Sequence, residues 1–236
     1  MKKAQGGGKL APLLETGVLA ILDTGIPRFR RDPVSGARAL ARAGIRFFQL
    51  RAKGVLDPEF LELAFLLRSA LPGCVLTMND RCDIAAASGV DGVHLGMDDL
   101  PPRAARAMLG RKAVIGASGG NNREVTLQCR ERPNYLSVGP VYATATKSGA
   151  GSPLGTVGFR RLASMVPPGM ARLAVGGITP DNVGGLMNSG ADAVAAASWW
   201  WRGTGPGWAA RSMLEAVAEA RKNGRSTRRG RPGTGG

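Results

Sequence analysis

The sequence predicts a single-domain α/β fold, a (β/α)8 TIM barrel, on three observations. Eight short apolar runs recur over about 200 residues, and most are separated by a segment of helix length. No solenoid-like repeat and no convincing interdomain linker interrupts them. Residues able to bind anions or cations stand at nearly every run's end, where barrel enzymes carry their active sites. A doubly wound sheet is the alternative, and eight regular units disfavour it.

In chain order, Gly17–Leu22 reads as a first strand ending at Asp23-Thr24-Gly25. Ala39, Leu40 and Ala43 give residues Asp32–Gly44 helical spacing, with Gly44 as a stop. Arg46–Leu50 is a second strand, followed by Arg51-Ala52-Lys53-Gly54, and Pro58 sits near the start of a helix through Leu67. Cys74–Met78 is a third strand leading into Asn79-Asp80-Arg81, and Asp83–Ser88 is a short helix. Gly92–Leu95 precedes Gly96-Met97-Asp98-Asp99 and a helix from Pro102 to Leu109. Ala113–Ala117 runs into Ser118-Gly119-Gly120-Asn121, and a helix spans Arg123–Arg130. Tyr135–Val138 is the sixth strand; Gly139 and Pro140 end it, and the stretch to Lys147 follows without an assigned helix. Leu173–Val175 ends in Gly176-Gly177-Ile178, Pro180–Ser189 is helical, Asp192–Ala197 is the eighth strand, and Trp208–Arg221 closes the barrel. The domain is thus expected over residues 17–221, between a flexible segment 1–16 and a basic, disordered tail 222–236.

Composition narrows the function classes. The chain of 236 residues is 44% hydrophobic, which suits a globular core. No apolar run approaches the roughly 18–20 residues that span a bilayer, so no membrane partner is expected. The basic N-terminus lacks the apolar region of a signal peptide, and a cytoplasmic location is the simplest expectation. Cys74, Cys82 and Cys129 have no metal-type spacing, their odd number fits a reducing compartment, and a single histidine, His94, makes a zinc site improbable. The net charge of +15 favours anionic partners, phosphorylated small molecules included. Five cations lie in the tail, where a solvated terminus is favoured over weak RNA association.

At the strand ends stand Arg51 and Lys53, Asn79 and Asp80, Asp99, Ser118, Thr144, Thr146 and Lys147, Gly176 and Gly177, and Ser198. Gly176-Gly177 and Ala197-Ser198 match the phosphate cup of barrels, where backbone N–H groups receive the anion, although Gly-Gly alone is more often a plain turn. Asp80 and Asp99 follow neighbouring strands, so their carboxylates can meet at one Mg²⁺; the plain alternative is helix capping, preferred for Asp98. His94, within the fourth strand, reads as a satisfied core histidine rather than an acid or base. Trp199-Trp200-Trp201 reads as a cover over the site, a homo-oligomer contact or simple packing.

Five motifs together resemble the thiamine phosphate synthase family: Phe48-Gln-Leu-Arg-Ala-Lys53, Asn79-Asp-Arg81, Gly92-Val-His-Leu-Gly96 with Asp99, Gly139-Pro-Val-Tyr-Ala-Thr-Ala-Thr-Lys147, and Val175-Gly-Gly-Ile178. The resemblance spans roughly residues 18 to 200. It implies a barrel that couples hydroxymethylpyrimidine diphosphate to hydroxyethylthiazole phosphate and releases pyrophosphate. By the same resemblance Gln49 contacts the pyrimidine, while Arg51, Lys53, Asn79, Ser118 and Lys147 hold its diphosphate. Asp80 and Asp99 hold Mg²⁺, and Thr144, Thr146, Gly177 and Ser198 seat the thiazole phosphate. The chain departs from the family at Met97, often Gln, and at Gly120, often His. Gly120 also disfavours the related thiazole tautomerase, which uses a histidine there; a non-catalytic binder of phosphate ligands is the reading from outside enzymes.

Overall fold

A computed structural model describes residues 8–144 and 151–229. Eight parallel strands close a barrel in sequential order: β1 Val18–Asp23, β2 Phe47–Arg51, β3 Val75–Asn79, β4 Gly92–Leu95, β5 Val114–Gly119, β6 Tyr135–Val138, β7 Ala171–Val175 and β8 Ala193–Ala196. The seam is the β1–β8 pair, Val18 opposite Val194. Helices α1 Ala11–Thr16, α2 Pro27–Arg31, α3 Pro33–Arg42, α4 Asp57–Ala70, α5 Cys82–Ser88, α6 Pro102–Leu109 and α7 Asn122–Arg130 accompany the first half. Then come α8 Gly155–Ala163, α9 Pro180–Asn188 and α10 Pro206–Arg229, with a single 3₁₀ turn at Ser198–Trp201. The expected barrel is observed.

Alternation along the strands explains where the core stops and the site starts. Side chains of a strand point to opposite faces in turn. One set packs outward on the helices, as Leu22, Phe48, Leu76 and Val93 do. The inward set begins apolar: Leu19, Phe47, Val75, Val114, Tyr135, Leu173 and Ala193 fill the N-terminal half of the barrel. Two or four residues later the same inward rows become polar at Asp23, Gln49, Arg51, Asn79, His94, Ser118 and Ser137.

Four expectations are corrected. Residues 8–16 are not a loose start: Leu10, at the N-cap of α1, and Leu13 within it enter the inner core beside Leu19 and Phe47 and so plug the N-terminal mouth. Arg221 pins it there, donating to the carbonyls of Leu14, Glu15 and Asp192 at 2.7–2.9 Å. The closing helix does not end at Arg221 but runs to Arg229. Between β6 and β7 lies α8, whose Phe159, Leu162 and Ala163 are buried. Its glycines, Gly155 and Gly158, carry poor helix propensity and masked it in the sequence. Finally Asp98 does not cap α6, since Pro101 occupies that position.

The tryptophan run resolves as packing. Trp200 is fully buried with its Nε1–H on the Ala196 carbonyl, and Trp201 packs on Phe29 and over Gly36. Trp199 donates from Nε1 to Ala209 and lies 5.8 Å, ring to ring, from Trp208.

Candidate active site

The C-terminal mouth of the barrel holds a cavity of about 650 Å³. Ten of the twelve residues given a role in the sequence line it: Gln49, Arg51, Lys53, Asn79, Asp80, Asp99, Ser118, Thr144, Gly177 and Ser198. The other two, Thr146 and Lys147, lie outside the described residues. Seven different strands thus deliver their ends to one space, which the closed barrel achieves by pointing every strand the same way.

On the β2–β3 side the polar groups are held by one another. Gln49 Nε2 donates to Asn79 Oδ1 at 2.9 Å, with both side chains buried. Arg51 Nη1 donates to Asp23 Oδ2 at 2.6 Å, and Asp23 Oδ1 accepts from the Gly25 N–H at 2.9 Å. Asp23 is 1% exposed and is a site-building residue that sequence reasoning left out. Its signal was the inward row Leu19–Ile21–Asp23, in which a carboxylate ends an otherwise apolar series.

Asp80 has a left-handed backbone, φ 68°, and its N–H donates to the His94 carbonyl at 2.8 Å. That conformation is uncommon for a residue with a side chain, and Asp tolerates it better than most. It directs the carboxylate towards Lys53, with which it forms an ion pair, and towards Asp99. Burial, and then the Asp80 carboxyl alongside, push the Asp99 carboxyl above its ordinary pKa, although it accepts from the Gly96 N–H at 2.6 Å. Two carboxylates facing each other in a partly buried site are a hard-oxygen donor set that a divalent cation relieves. Arg81, the third residue of that turn, faces outward and bonds Asp57 and Asp83.

Across the mouth, the segment after β6 lies directly on the end of β7. The N–H groups of Val141 and Tyr142 donate to the carbonyls of Val175 and Gly176 at 2.9 and 3.1 Å. Gly176 and Gly177 both adopt positive φ, and a Cβ on Gly177 would stand 2.6 Å from the Ala143 carbonyl. Only glycine allows this approach, which leaves a side-chain-free wall between Thr144 and Ser198.

His94 is buried and satisfied, as the sequence suggested, yet it also lines the cavity, with Nε2 2.7 Å from Ser118 Oγ. Glu124 was not anticipated there. It accepts from the Gly120 N–H at 2.7 Å and pairs with the capping Asn121, so its charge is consumed in starting α7. Met97 takes the Gln128 amide on its sulfur at 3.4 Å and stays 40% exposed at the rim.

The family model described as thiamine monophosphate synthase matches residues 18–199. The chain belongs to the thiamine monophosphate synthase family. A thiamine-phosphate synthase of Moorella thermoacetica is 36% identical over 193 residues, covering 81% of this chain and 91% of that protein. The thiamine biosynthesis bifunctional protein ThiM/ThiE of Symbiobacterium thermophilum is 37% identical over 217 residues, but the chain spans only 44% of its length. Among solved structures, a thiamine phosphate pyrophosphorylase from Pyrococcus furiosus superposes with a TM-score of 0.76 at 25% identity, covering 88% of this chain and 98% of that one. Family membership and the cavity coincide: the matched segment carries every described lining residue used above.

Proposed function

We propose that the protein is a thiamine-phosphate synthase that joins hydroxymethylpyrimidine diphosphate to hydroxyethylthiazole phosphate and releases pyrophosphate. The observation that carries this reading is family membership over the segment that builds the cavity, with cations and a carboxylate pair gathered at its mouth. In the reaction the C–O bond between the pyrimidine methylene and the diphosphate breaks, and its electron pair departs with the diphosphate. The thiazole nitrogen lone pair forms the new C–N bond, leaving a thiazolium. No proton is lost from the nucleophile, so no general base is needed.

The task of the protein is therefore to stabilise the leaving group and to bring the reactants together. Arg51, held by Asp23, and Lys53 place positive charge at the cavity wall, with Asn79 and Ser118 offering neutral donors and Lys147 assigned to the same group. Gln49 orients the pyrimidine. Thr144, Thr146, Ser198 and the open backbone at Gly177 receive the thiazole phosphate. Asp80 and Asp99 are the residues that would hold Mg²⁺, and their paired carboxylates fit it. Bound there, Mg²⁺ supplies further positive charge to the diphosphate oxygens.

The test is to incubate the purified protein with both substrates and Mg²⁺ and to measure thiamine phosphate and pyrophosphate. Asp80→Ala and Lys147→Ala are each expected to reduce kcat by about 10²–10³, the usual cost of removing one preorganised electrostatic contact. No product from folded wild-type protein would overturn the assignment. Binding of both phosphates without turnover would then indicate a binder.

A further inference from the structure

Behind Ser118 a line of buried side chains crosses the barrel interior. Tyr135, the first residue of β6, is fully buried, and its hydroxyl lies 3.1 Å from Nδ1 of His94 on β4. The other nitrogen of that ring, Nε2, lies 2.7 Å from Ser118 Oγ on β5. Since β5 stands between β4 and β6, the phenol has to pass over it. Gly116 provides the passage: a Cβ there would be 2.1 Å from Tyr135 Cζ and 2.4 Å from its hydroxyl. The phenol and imidazole rings are nearly parallel, with centroids 5.5 Å apart and planes at 22°. Phe47 braces the phenol edge-on, its centroid 6.0 Å away. Thr77, whose hydroxyl donates to the Phe48 carbonyl at 3.1 Å, stands beside the phenol. This is a built assembly, and the chemistry proposed above leaves His94 and Tyr135 without a part.

A hydrogen bond to one nitrogen of a neutral imidazole decides which nitrogen carries the proton. Burial raises the Tyr135 pKa well above its ordinary value, so the phenol keeps its single hydrogen. The line can run in two senses. If Tyr135 donates to Nδ1, the proton of His94 sits on Nε2 and points at Ser118 Oγ, and the serine hydrogen is turned away into the cavity. If His94 instead donates to Tyr135, the phenol hydrogen turns to Thr77 Oγ1, Nε2 accepts the serine hydrogen and a lone pair faces the ligand. Ser118 shares its cavity with Arg51 and Lys53, and a phosphate oxygen received there requires a donor.

We propose that Tyr135 and His94 are positioning residues that donate in sequence, phenol to Nδ1 and Nε2–H to Ser118 Oγ, and so hold the serine hydrogen on the departing diphosphate. The inference rests on the synthase reading. It gives His94 a role that needs no change of protonation, and Ser118 is the group that touches substrate.

His94 is the only histidine of the chain, so ¹⁵N-histidine labelling gives a single imidazole. The wild-type NMR spectrum is expected to show the Nε2–H tautomer alone, and Tyr135→Phe, which keeps the ring, is expected to show a mixture of tautomers. A wild-type Nδ1–H tautomer, or a Tyr135→Phe spectrum unchanged from wild type, overturns the proposal. In turnover, Tyr135→Phe is expected to lower kcat by about tenfold, the worth of one hydrogen bond, with both KM values within about twofold. In a Ser118→Ala background the same change is expected to cost nothing further, because it acts only through the serine. Equal losses in both backgrounds would mean that Tyr135 supports the barrel alone. The tautomer is read without turnover. Absence of product beside the expected tautomer therefore faults the synthase reading, and the wrong tautomer in an active enzyme faults this one.

Discussion

At Asp99 the proposed metal-binding role is set against stability. Its carboxyl is pushed above the ordinary range by burial first and by Asp80 second. A carboxyl with a folded pKa above its unfolded value stabilises the fold most at pH below the unfolded pKa, and that contribution is lost as pH rises through the raised folded pKa. In metal-free protein at neutral pH, Asp99→Asn is therefore expected to raise Tm, with Asn still able to accept from the Gly96 N–H. Mg²⁺ at about 100 times its Kd is expected to stabilise the wild type by about 2.7 kcal/mol and the variant far less. Thermal unfolding with and without Mg²⁺ checks both; a variant stabilised as strongly as wild type would remove Asp99 from the proposed metal site. Gly139 makes a second residue-scale case: a Cβ there would lie 2.2 Å from the Val175 carbonyl oxygen. Gly139→Ala should cost about 3 kcal/mol, read as a drop in urea midpoint, because the neighbour is backbone and has nowhere to go.

Among elements, α1 and α10 hold the base of the barrel together. Leu13 is fully buried in the inner core, and its truncation to Ala is expected to cost 2–5 kcal/mol, about what a buried leucine contributes. Arg221→Met keeps the aliphatic stem but leaves carbonyls of α1 and of Asp192 without their donor. A loss of about 1–3 kcal/mol in chemical denaturation is expected. Neither change approaches the mouth, so kcat should hold. The sequence could not reveal α1, since a helix of six residues with Pro12 has no measurable periodicity and is stable only on its socket. In α8 the same difficulty came from glycine, and packing of Phe159 and Leu162 overrode the propensity.

For the molecule as a whole, the chain carries a net charge of +15, and both proposed substrates are phosphorylated. Long-range attraction of that kind is screened over about 8–10 Å at physiological salt. Raising NaCl from about 50 to 500 mM is therefore expected to lower kcat/KM for both substrates by roughly threefold or more, with kcat little changed. A salt-independent kcat/KM would show that net charge does not contribute to capture. Among the described residues no helix is long and apolar enough to cross a membrane.

The order of strands, the barrel and nine of those ten cavity residues could be read from the chain alone, because parallel strands expose the same end and the residues just past an apolar run stand at that mouth. Asp23, Gln49 and His94 carry the limit of that logic. Gln49 was found by resemblance, His94 was read only as core, and Asp23 was passed over. Which inward residue touches which depends on barrel stagger, and no local pattern encodes it. Tertiary structure alone decided that Asp23 braces Arg51 and that Gly116 lets Tyr135 reach His94. Each is a contact between residues far apart in sequence, made when a closed sheet brings its rows to one axis.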